Sequence, residues 1–140
     1  MIKNIRKEFF FDSAPEEVWE ALTNPNEISI WLMSTNDFDP KEGKKFVMQA
    51  KPMGSWNGKI YGEVLTVDKP RVLSYTWKGD QMSSTTILKW TLMPVNSGTL
   101  LAMEHSGFEG LNDYLLGVFH SMGWNKFLKQ LLNYLKDEMK

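Results

Sequence analysis

The hydrophobic period of the chain changes near residue 108, and this change is the strongest constraint on its fold. Apolar and polar residues alternate in five segments, 44–51, 58–68, 71–79, 84–94 and 98–107, which turn-forming residues separate. Such alternation predicts β-strands, and the short connections predict antiparallel neighbours. From 111 to 139 the period becomes helical. The pattern therefore predicts an α+β fold in which a sheet precedes one long helix.

The first 31 residues predict one more strand and two short helices. Residues 3–12 alternate as a strand with one mostly wet face. Ser13 or Ala14 caps the first helix, and Pro15 takes its first position, where a missing amide costs nothing. Asn24-Pro25 ends this helix, because proline cannot continue it. The second helix is predicted at about 25–31. With the first strand, the sheet has six strands.

The strand alternation assigns an inner face that is crowded with large apolar side chains. Nine residues of the last three strands share this predicted face: Leu73, Tyr75, Trp77, Leu88, Trp90, Leu92, Leu101, Met103 and His105. A sheet with so apolar a face needs a cover. The second half of the C-terminal segment supplies one, since four of its apolar residues follow helical spacing: Trp124, Leu128, Leu131 and Leu135.

The first half of the C-terminal segment has an apolar stripe that points elsewhere. This stripe consists of Leu111, Leu115, Val118 and Met122. At about 100° per residue it points nearly opposite to the stripe of the second half. One straight helix cannot aim both stripes at one sheet. We therefore expect either a kink or break near Gly117 and Gly123, or an exposed apolar patch over 111–122 that covers a pocket mouth or meets a partner.

Charge and length indicate an ordinary globular domain. The 140 residues are 42% hydrophobic and 24% charged, which is typical of one soluble domain, assigned here to 1–140. The net charge of -1 argues against a nucleic-acid partner, because phosphate binding usually needs a basic surplus. The local basic cluster Lys41-Glu42-Gly43-Lys44-Lys45 is interpreted as a solvated loop.

The sequence also bears on location and redox chemistry. No apolar run approaches the roughly 20 residues that a membrane span needs. The first residues alternate and carry charge, whereas a signal peptide needs an apolar stretch. The absence of cysteine excludes disulfides, thiolate nucleophiles and zinc-thiolate sites. We therefore expect a cytoplasmic protein.

Large adaptable side chains are unusually abundant. Six Trp, eight Phe, four Tyr and nine Met occur in 140 residues. They either form a well-packed core or also line a cavity, since pockets for small molecules are mainly apolar with a few placed polar groups. The candidate ligand-binding lining, in which His105 and the Tyr75 hydroxyl are the polar points, is Trp31, Met33, Phe46, Met48, Tyr75, Trp77, Trp90, Met103, His105, Trp124 and Phe127.

Neither histidine indicates a catalytic or metal site by itself. His105 falls on the predicted inner face, where it would either bind a ligand or move a proton, or serve as a structural histidine with partners under the helix. His120 lies in the ambiguous part of the C-terminal segment and is predicted to be exposed. The two are too few for a metal site, and no ligand motif accompanies them. No cofactor or metal is expected.

Other polar residues do not complete a catalytic arrangement. Ser106 adjoins His105, but consecutive strand residues point to opposite faces, so the two cannot act together. Glu63 and Glu104 would form an acid pair only if both entered the cavity, and both are predicted to face solvent. Arg71 at a strand start is predicted to lie on the surface, and the alternative is an anchor for a ligand carboxylate. No catalytic residue is assigned.

An ordered set of motifs covers nearly the whole chain. It comprises Ser13-Ala14-Pro15-Glu16-Glu17-Val18-Trp19, Leu22-Thr23, Trp31-Leu32-Met33, Gly62-Glu63-Val64, Pro70-Arg71-Val72-Leu73-Ser74-Tyr75-Thr76-Trp77, Ser97-Gly98-Thr99, His105-Ser106-Gly107-Phe108 and Gly123-Trp124. With it the chain resembles bacterial homologues of the C-terminal domain of the activator of the ninety-kilodalton heat-shock protein's ATPase. These belong to the START-like, or polyketide-cyclase-like, superfamily.

The resemblance implies the helix-grip fold, in which a curved sheet grips a long C-terminal helix. Members of the superfamily bind lipids, sterols, hormones or polyketides between sheet and helix, and a few catalyse cyclisation or hydrolysis. A shared fold does not transmit a function. The leading hypothesis is a carrier or sensor of a small apolar molecule. The second is a co-chaperone-like interaction module, and the third is a cyclase or hydrolase that uses His105 with Tyr75 or a glutamate.

Overall fold

The order of the elements agrees with the order predicted from the hydrophobic period. The computed structural model describes the backbone of residues 4–138 and the side-chain surroundings of 4–109 and 116–136. The elements are β1 (Ile5–Phe11), α1 (Pro15–Thr23), α2 (Pro25–Trp31), β2 (Lys45–Gln49), β3 (Lys59–Asp68), β4 (Val72–Gly79), β5 (Thr86–Val95), β6 (Gly98–Ser106) and α3 (Gly110–Glu138).

The six strands form one antiparallel sheet in the order β1-β6-β5-β4-β3-β2. The strands β2 to β6 each pair with the next along the chain, as short turns require. β1 returns to pair with β6, from Ile5 opposite His105 to Phe11 opposite Thr99. The first and last strands thereby become neighbours, and α1 and α2 lie between β1 and β2 in sequence.

The inner face of the sheet is the one that the alternation predicts. The nine residues assigned to it on β4, β5 and β6 are all buried. On β3 the alternation shifts at a bulge between Val64 and Thr66. Gly62 on the same strand is needed for close packing, because an added Cβ would clash with Cζ of Phe46. The Phe46 ring therefore crosses directly over the β3 backbone.

The two short helices begin and end as the sequence predicts. Ala14 is the N-cap of α1 and Pro15 takes its first position. Asn24 ends α1 and caps α2, since its side chain accepts a hydrogen bond from the Asn26 amide at 2.9 Å. Nε1 of Trp31 donates to the carbonyl oxygen of Ala21 at 2.8 Å and joins the two helices.

The helix α3 continues through Gly117 and Gly123, so the predicted break is wrong. The alternative, an exposed apolar patch, is present at Val118, Phe119 and Met122, which are 37%, 66% and 63% exposed. The side chains of 111–115, which the prediction also included, lie outside the described residues. An unbroken helix has one buried stripe, and the Trp and Leu residues of its second half determine where that stripe faces.

The backbone of α3 comes close to α1, α2 and β1. Its second half is also held by a hydrogen bond from the Tyr134 hydroxyl to a carboxylate oxygen of Glu27 on α2, at 2.8 Å. Over β4 and β5, the contact between helix and sheet is made by aromatic rings, such as that of Trp124 against Trp77 and Trp90. Aromatic packing therefore holds the middle of the helix on the sheet. Among the described helices, none has the length and apolar character that crossing a bilayer requires.

Candidate functional site

Five aromatic rings meet beneath the first half of α3, and we call them the histidine cluster: Trp77 of β4, His105 of β6, Phe108 after β6, and His120 and Trp124 of α3. The His105 ring centroid lies 4.6 Å from that of Phe108, 5.4 Å from His120 and 5.7 Å from Trp77. Trp77 and Trp124 are 5.2 Å apart. The alternation of β4 and β6 aims Trp77 and His105 at the helix, and the helical period aims Trp124 back at them.

Both ring nitrogens of His105 have partners, and these determine its tautomer. Nε1–H of Trp124 donates to Nδ1 of His105 at 3.1 Å, so Nδ1 carries no proton. The Thr86 hydroxyl donates to the carbonyl oxygen of Trp77 at 2.7 Å, and its oxygen lies 2.7 Å from Nε2 of His105. Since the Thr86 proton is already committed, Nε2 must donate. His105 is therefore the neutral Nε2–H tautomer.

The surroundings of His105 favour this neutral form. The side chain is fully buried. Burial, with a smaller contribution from nearby His120, lowers the pKa of His105 well below 6.5. A histidine whose nitrogens are both engaged in the core matches the structural interpretation among the two that the sequence left open.

His120 is half-buried and belongs to the cluster, so its predicted exposure is wrong. Nε1–H of Trp77 donates to its Nε2 at 3.2 Å, and its Nδ1–H donates to the Leu116 carbonyl oxygen at 2.8 Å. These bonds make His120 a neutral Nδ1–H tautomer. His120 stands four residues before Trp124, and residues at this spacing share one face of a helix. This spacing could have predicted that His120 faces the sheet.

A second group of rings continues the cluster towards α2 and β2. Trp90 of β5 lies 5.6 Å from Trp124 and 6.0 Å from Trp31, in edge-to-face contacts. Phe46 and Tyr75 lie 5.2 Å apart, and Phe38 packs against both. Phe38 and Phe108 were absent from the predicted lining, because they stand in loops where no hydrophobic period marks the inward side.

The structure brings the predicted lining residues together and packs most of them closely. All eleven are buried except Phe127, which is half-buried and packs against Trp124 at 5.8 Å. Trp90 and His105 are 0% exposed, so protein atoms cover both rings completely. This close packing agrees with the core interpretation of these two residues.

The other polar candidates lie away from the histidine cluster. Ser106 is on the outer face, as predicted from its neighbour. Glu104 is exposed and lies 3.8 Å from Arg6, while Glu63 is half-buried on the outer face of β3. Arg71 is exposed and pairs with Asp68 at 3.0 Å. In the ranges that the structure describes, no three acidic or histidine side chains converge as a metal site would require.

A polar cleft of about 290 Å³ lies at the edge strand β2, apart from the rings. It is lined by Ser34, Thr35, Asn36, Asp37, Val47 and Gln49. The Asp37 carboxylate in it accepts hydrogen bonds from the Thr35 hydroxyl at 3.1 Å and from the Val47 amide at 3.2 Å. This cleft is a hydrogen-bonded loop junction and does not extend the aromatic site.

Comparison with known proteins gives a family and structural relatives. The family model "Activator of Hsp90 ATPase homolog 1-like protein" matches residues 12–136. The protein MLL2253 of Mesorhizobium loti is 32% identical, with a TM-score of 0.86 over 99% of both chains. CalU16 of Micromonospora echinospora is 27% identical, with a TM-score of 0.80 over 99% of this chain and 79% of its own.

A more distant relative shows the fold alone. This is an Hsp90 activator from Plasmodium falciparum, 19% identical, with a TM-score of 0.78 over 96% of both chains. No curated protein sequence matches the chain significantly. The match over residues 12–136, together with the sheet that grips α3, confirms the family and the helix-grip fold expected from the resemblance. The chain therefore belongs to the family of Activator of Hsp90 ATPase homolog 1-like proteins.

Proposed function

We propose that the protein is a cytoplasmic carrier or sensor of a small apolar or aromatic molecule, such as a lipid, a polyketide or a flavonoid-like compound. Its ligand lies between the inner face of the sheet and the first half of α3. The observation that carries this proposal is the reversed polarity of α3 over 116–123. There the helix turns Gly117, His120 and Ser121 towards the sheet, while Val118, Phe119 and Met122 are on the outside.

Over 116–123, the described part of the first half, α3 buries less apolar side chain than its second half does. The second half packs Leu128, Leu131 and Leu135 inward, and each buried leucine contributes about 2 kcal/mol. The inward stripe of the first half contains Gly117 and Ser121, which contribute less apolar contact than these leucines, beside His120, whose ring packs in the histidine cluster. On the outside of the same segment, Val118, Phe119 and Met122 are exposed, and contiguous exposed apolar side chains often mark binding surfaces. A ligand therefore enters by displacing this half of the helix from the rings.

The proposal is tested by NMR titration with naringenin and with myristate, recorded on the backbone amides of the full chain. We expect saturable shifts in β4, β6 and 116–124 of α3. The Ser121→Met variant places a longer side chain in the proposed space and should weaken binding, whereas Met122→Ser on the outside should not.

Two outcomes contradict the carrier proposal. One is the absence of saturable binding by either compound. The other is a set of shifts confined to outer-face amides such as Arg6 and Lys89. If Ser121→Met fails to fold, the location of the shifts in the wild-type chain still decides the question.

The exposed apolar patch supports a second candidate function, a co-chaperone-like interaction module. Val118, Phe119 and Met122 form a contiguous surface on α3. The relative from Plasmodium falciparum, which has this fold, is described as an Hsp90 activator. The test is the ATPase rate of a purified bacterial ninety-kilodalton chaperone with and without this protein. Stimulation that Phe119→Ser abolishes and the outer-face control Phe10→Ser retains would support this function, and an unchanged ATPase rate would contradict it.

The third hypothesis, a cyclase or hydrolase, has less support from the geometry. A general acid or base needs a nitrogen or oxygen that reaches the substrate. Both nitrogens of His105 are engaged with Thr86 and Trp124. Glu104 and Glu63 lie on the outer face of the sheet, away from Tyr75. Turnover that His105→Ala abolishes would revive this hypothesis.

A further inference from the structure

The Tyr75 hydroxyl is a buried polar group whose hydrogen-bonding capacity is only partly used. Tyr75 lies on the inner face of β4 and is 2% exposed. Its oxygen accepts a hydrogen bond from Nε1–H of Trp90 at 2.9 Å. Its own proton meets no acceptor among the residues that the structure describes. Burial raises the pKa of Tyr75 above its usual 10, so the proton stays on the oxygen.

The other polar atoms around the rings are already committed. Both nitrogens of His105 and both of His120 have partners. The indole N–H groups of Trp77, Trp90 and Trp124 all donate. Thr86 donates its proton to a carbonyl oxygen and accepts from His105. Within this described ring system, the Tyr75 proton is the one donor left for another molecule.

An unpaired O–H in a core is unfavourable, so its presence calls for an explanation. Leaving a buried donor without an acceptor costs about 1–3 kcal/mol, and native cores contain few such groups. The ring of Tyr75 packs against Phe38 and Phe46 at 5.5 and 5.2 Å. Its oxygen is needed as the acceptor for the Trp90 indole N–H, but this hydrogen bond leaves the hydroxyl proton itself without an acceptor.

We infer that Tyr75 donates its hydrogen bond to the ligand and that the ligand is an apolar or aromatic molecule with an acceptor oxygen, such as a ketone, ester or amide carbonyl. This inference rests on the proposed function. The described ring system offers a ligand the Tyr75 proton as its uncommitted donor. A ligand that presents an acceptor oxygen to Tyr75 is therefore bound better than a compound of the same shape without that oxygen.

The test uses two probes that differ at one oxygen: 2-acetyl-6-dimethylaminonaphthalene and its deoxygenated analogue 2-ethyl-6-dimethylaminonaphthalene. Binding to the full chain is followed by the fluorescence of the probe. The Tyr75→Phe variant removes the hydroxyl with almost no change in ring shape, and it also leaves the Trp90 indole N–H without its acceptor. The ethyl analogue, which has no carbonyl oxygen, reports this structural effect separately. Tyr61→Phe is the matched control, because it removes a phenol hydroxyl on the exposed outer face of β3.

We expect Tyr75→Phe to weaken binding of the ketone about tenfold, as loss of one hydrogen bond implies. Binding of the ethyl analogue should change by less than about twofold, because it has no acceptor for the proton. Tyr61→Phe should leave both affinities unchanged. If Tyr75→Phe weakens both probes equally, or neither, the inference is overturned while the carrier proposal stands. Failure of both probes and of naringenin and myristate to bind overturns both.

A second measurement decides the matter if Tyr75→Phe fails to fold. Infrared spectroscopy of the ketone bound to the wild-type chain reports hydrogen bonding directly, since an accepted hydrogen bond lowers the carbonyl stretching frequency. We expect a frequency below that of the ketone dissolved in an alkane. A frequency equal to that in the alkane shows that the carbonyl has no donor and overturns the inference.

Discussion

Trp124 on α3 and His105 on β6 are joined by a hydrogen bond through the core, in which the indole N–H donates to Nδ1 at 3.1 Å. This bond connects the helix to the sheet where the polarity of α3 changes. It also holds one end of a chain of hydrogen bonds that runs from Trp124 through His105 and Thr86 to the Trp77 carbonyl.

Substitution of Trp124 tests how much this junction stabilises the fold. Trp124→Phe leaves Nδ1 of His105 without a donor and removes part of the ring contact with Trp77 and Trp90. We expect the free energy of unfolding to fall by about 2–4 kcal/mol, measured by urea denaturation. The control is Trp56→Phe, since Trp56 is only half-buried and donates to the Lys59 carbonyl oxygen. If both variants lost the same free energy of unfolding, the hydrogen bond and ring contacts of Trp124 would not stabilise the fold more than those of Trp56.

The lowered pKa of His105 predicts that acid destabilises the protein. The unfolded chain binds a proton near 6.5, but the folded chain does so only at lower pH. The His105 contribution is therefore fully present above pH 6.5 and is lost as the pH falls, by about 1.4 kcal/mol per unit until the folded pKa is reached.

The comparison that isolates His105 uses His105→Gln, which cannot titrate. We expect the wild type to lose about 1 kcal/mol more stability than the variant between pH 7.5 and 5.5, in urea unfolding curves. Groups whose titration does not depend on residue 105 contribute equally to both proteins and cancel in the difference. Parallel losses in the two proteins would show that the pKa of His105 is not lowered.

The Thr86 hydroxyl is expected to contribute to stability through two buried partners. Thr86→Val keeps the shape but removes the side-chain hydrogen bond to the Trp77 carbonyl and leaves Nε2–H of His105 unpaired, at a cost of about 1–3 kcal/mol. Thr86→Ser retains the hydroxyl and should recover a large part of this loss. Nitrogen chemical shifts of the His105 ring provide a second readout, and a tautomer other than Nε2–H would refute the assigned direction of these bonds.

The two halves of α3 should respond differently to loss of an apolar side chain. Leu128→Ala removes a side chain buried against the sheet and should cost about 2–5 kcal/mol. Phe119→Ser changes a ring that is 66% exposed and should alter stability by about 0.5 kcal/mol or less. Thermal and urea unfolding of both variants measure the contrast. A large loss for Phe119→Ser would place that ring in the folded core.

Local patterns predicted most of the architecture because each reports on one element alone. Alternation marked the inner side of β4, β5 and β6, and Pro15 marked the start of α1. The same reasoning failed at His120, Phe38 and Phe108. The first lies where two helical stripes compete, and the other two lie in loops without a period. Whether such residues face the core depends on neighbours distant in sequence.

Sequence alone determined the succession of strands and helices, the inner face of the sheet and the aromatic character of what covers it, because side-chain periodicity is a property of adjacent residues. Only the tertiary structure decided which stripe of α3 faces the sheet, because the buried stripe is the one that packs best against rings from separate strands. It likewise decided that His105 is neutral and saturated while the Tyr75 proton is left unpaired, because Trp124, Thr86 and Trp90 become their neighbours only when the chain folds.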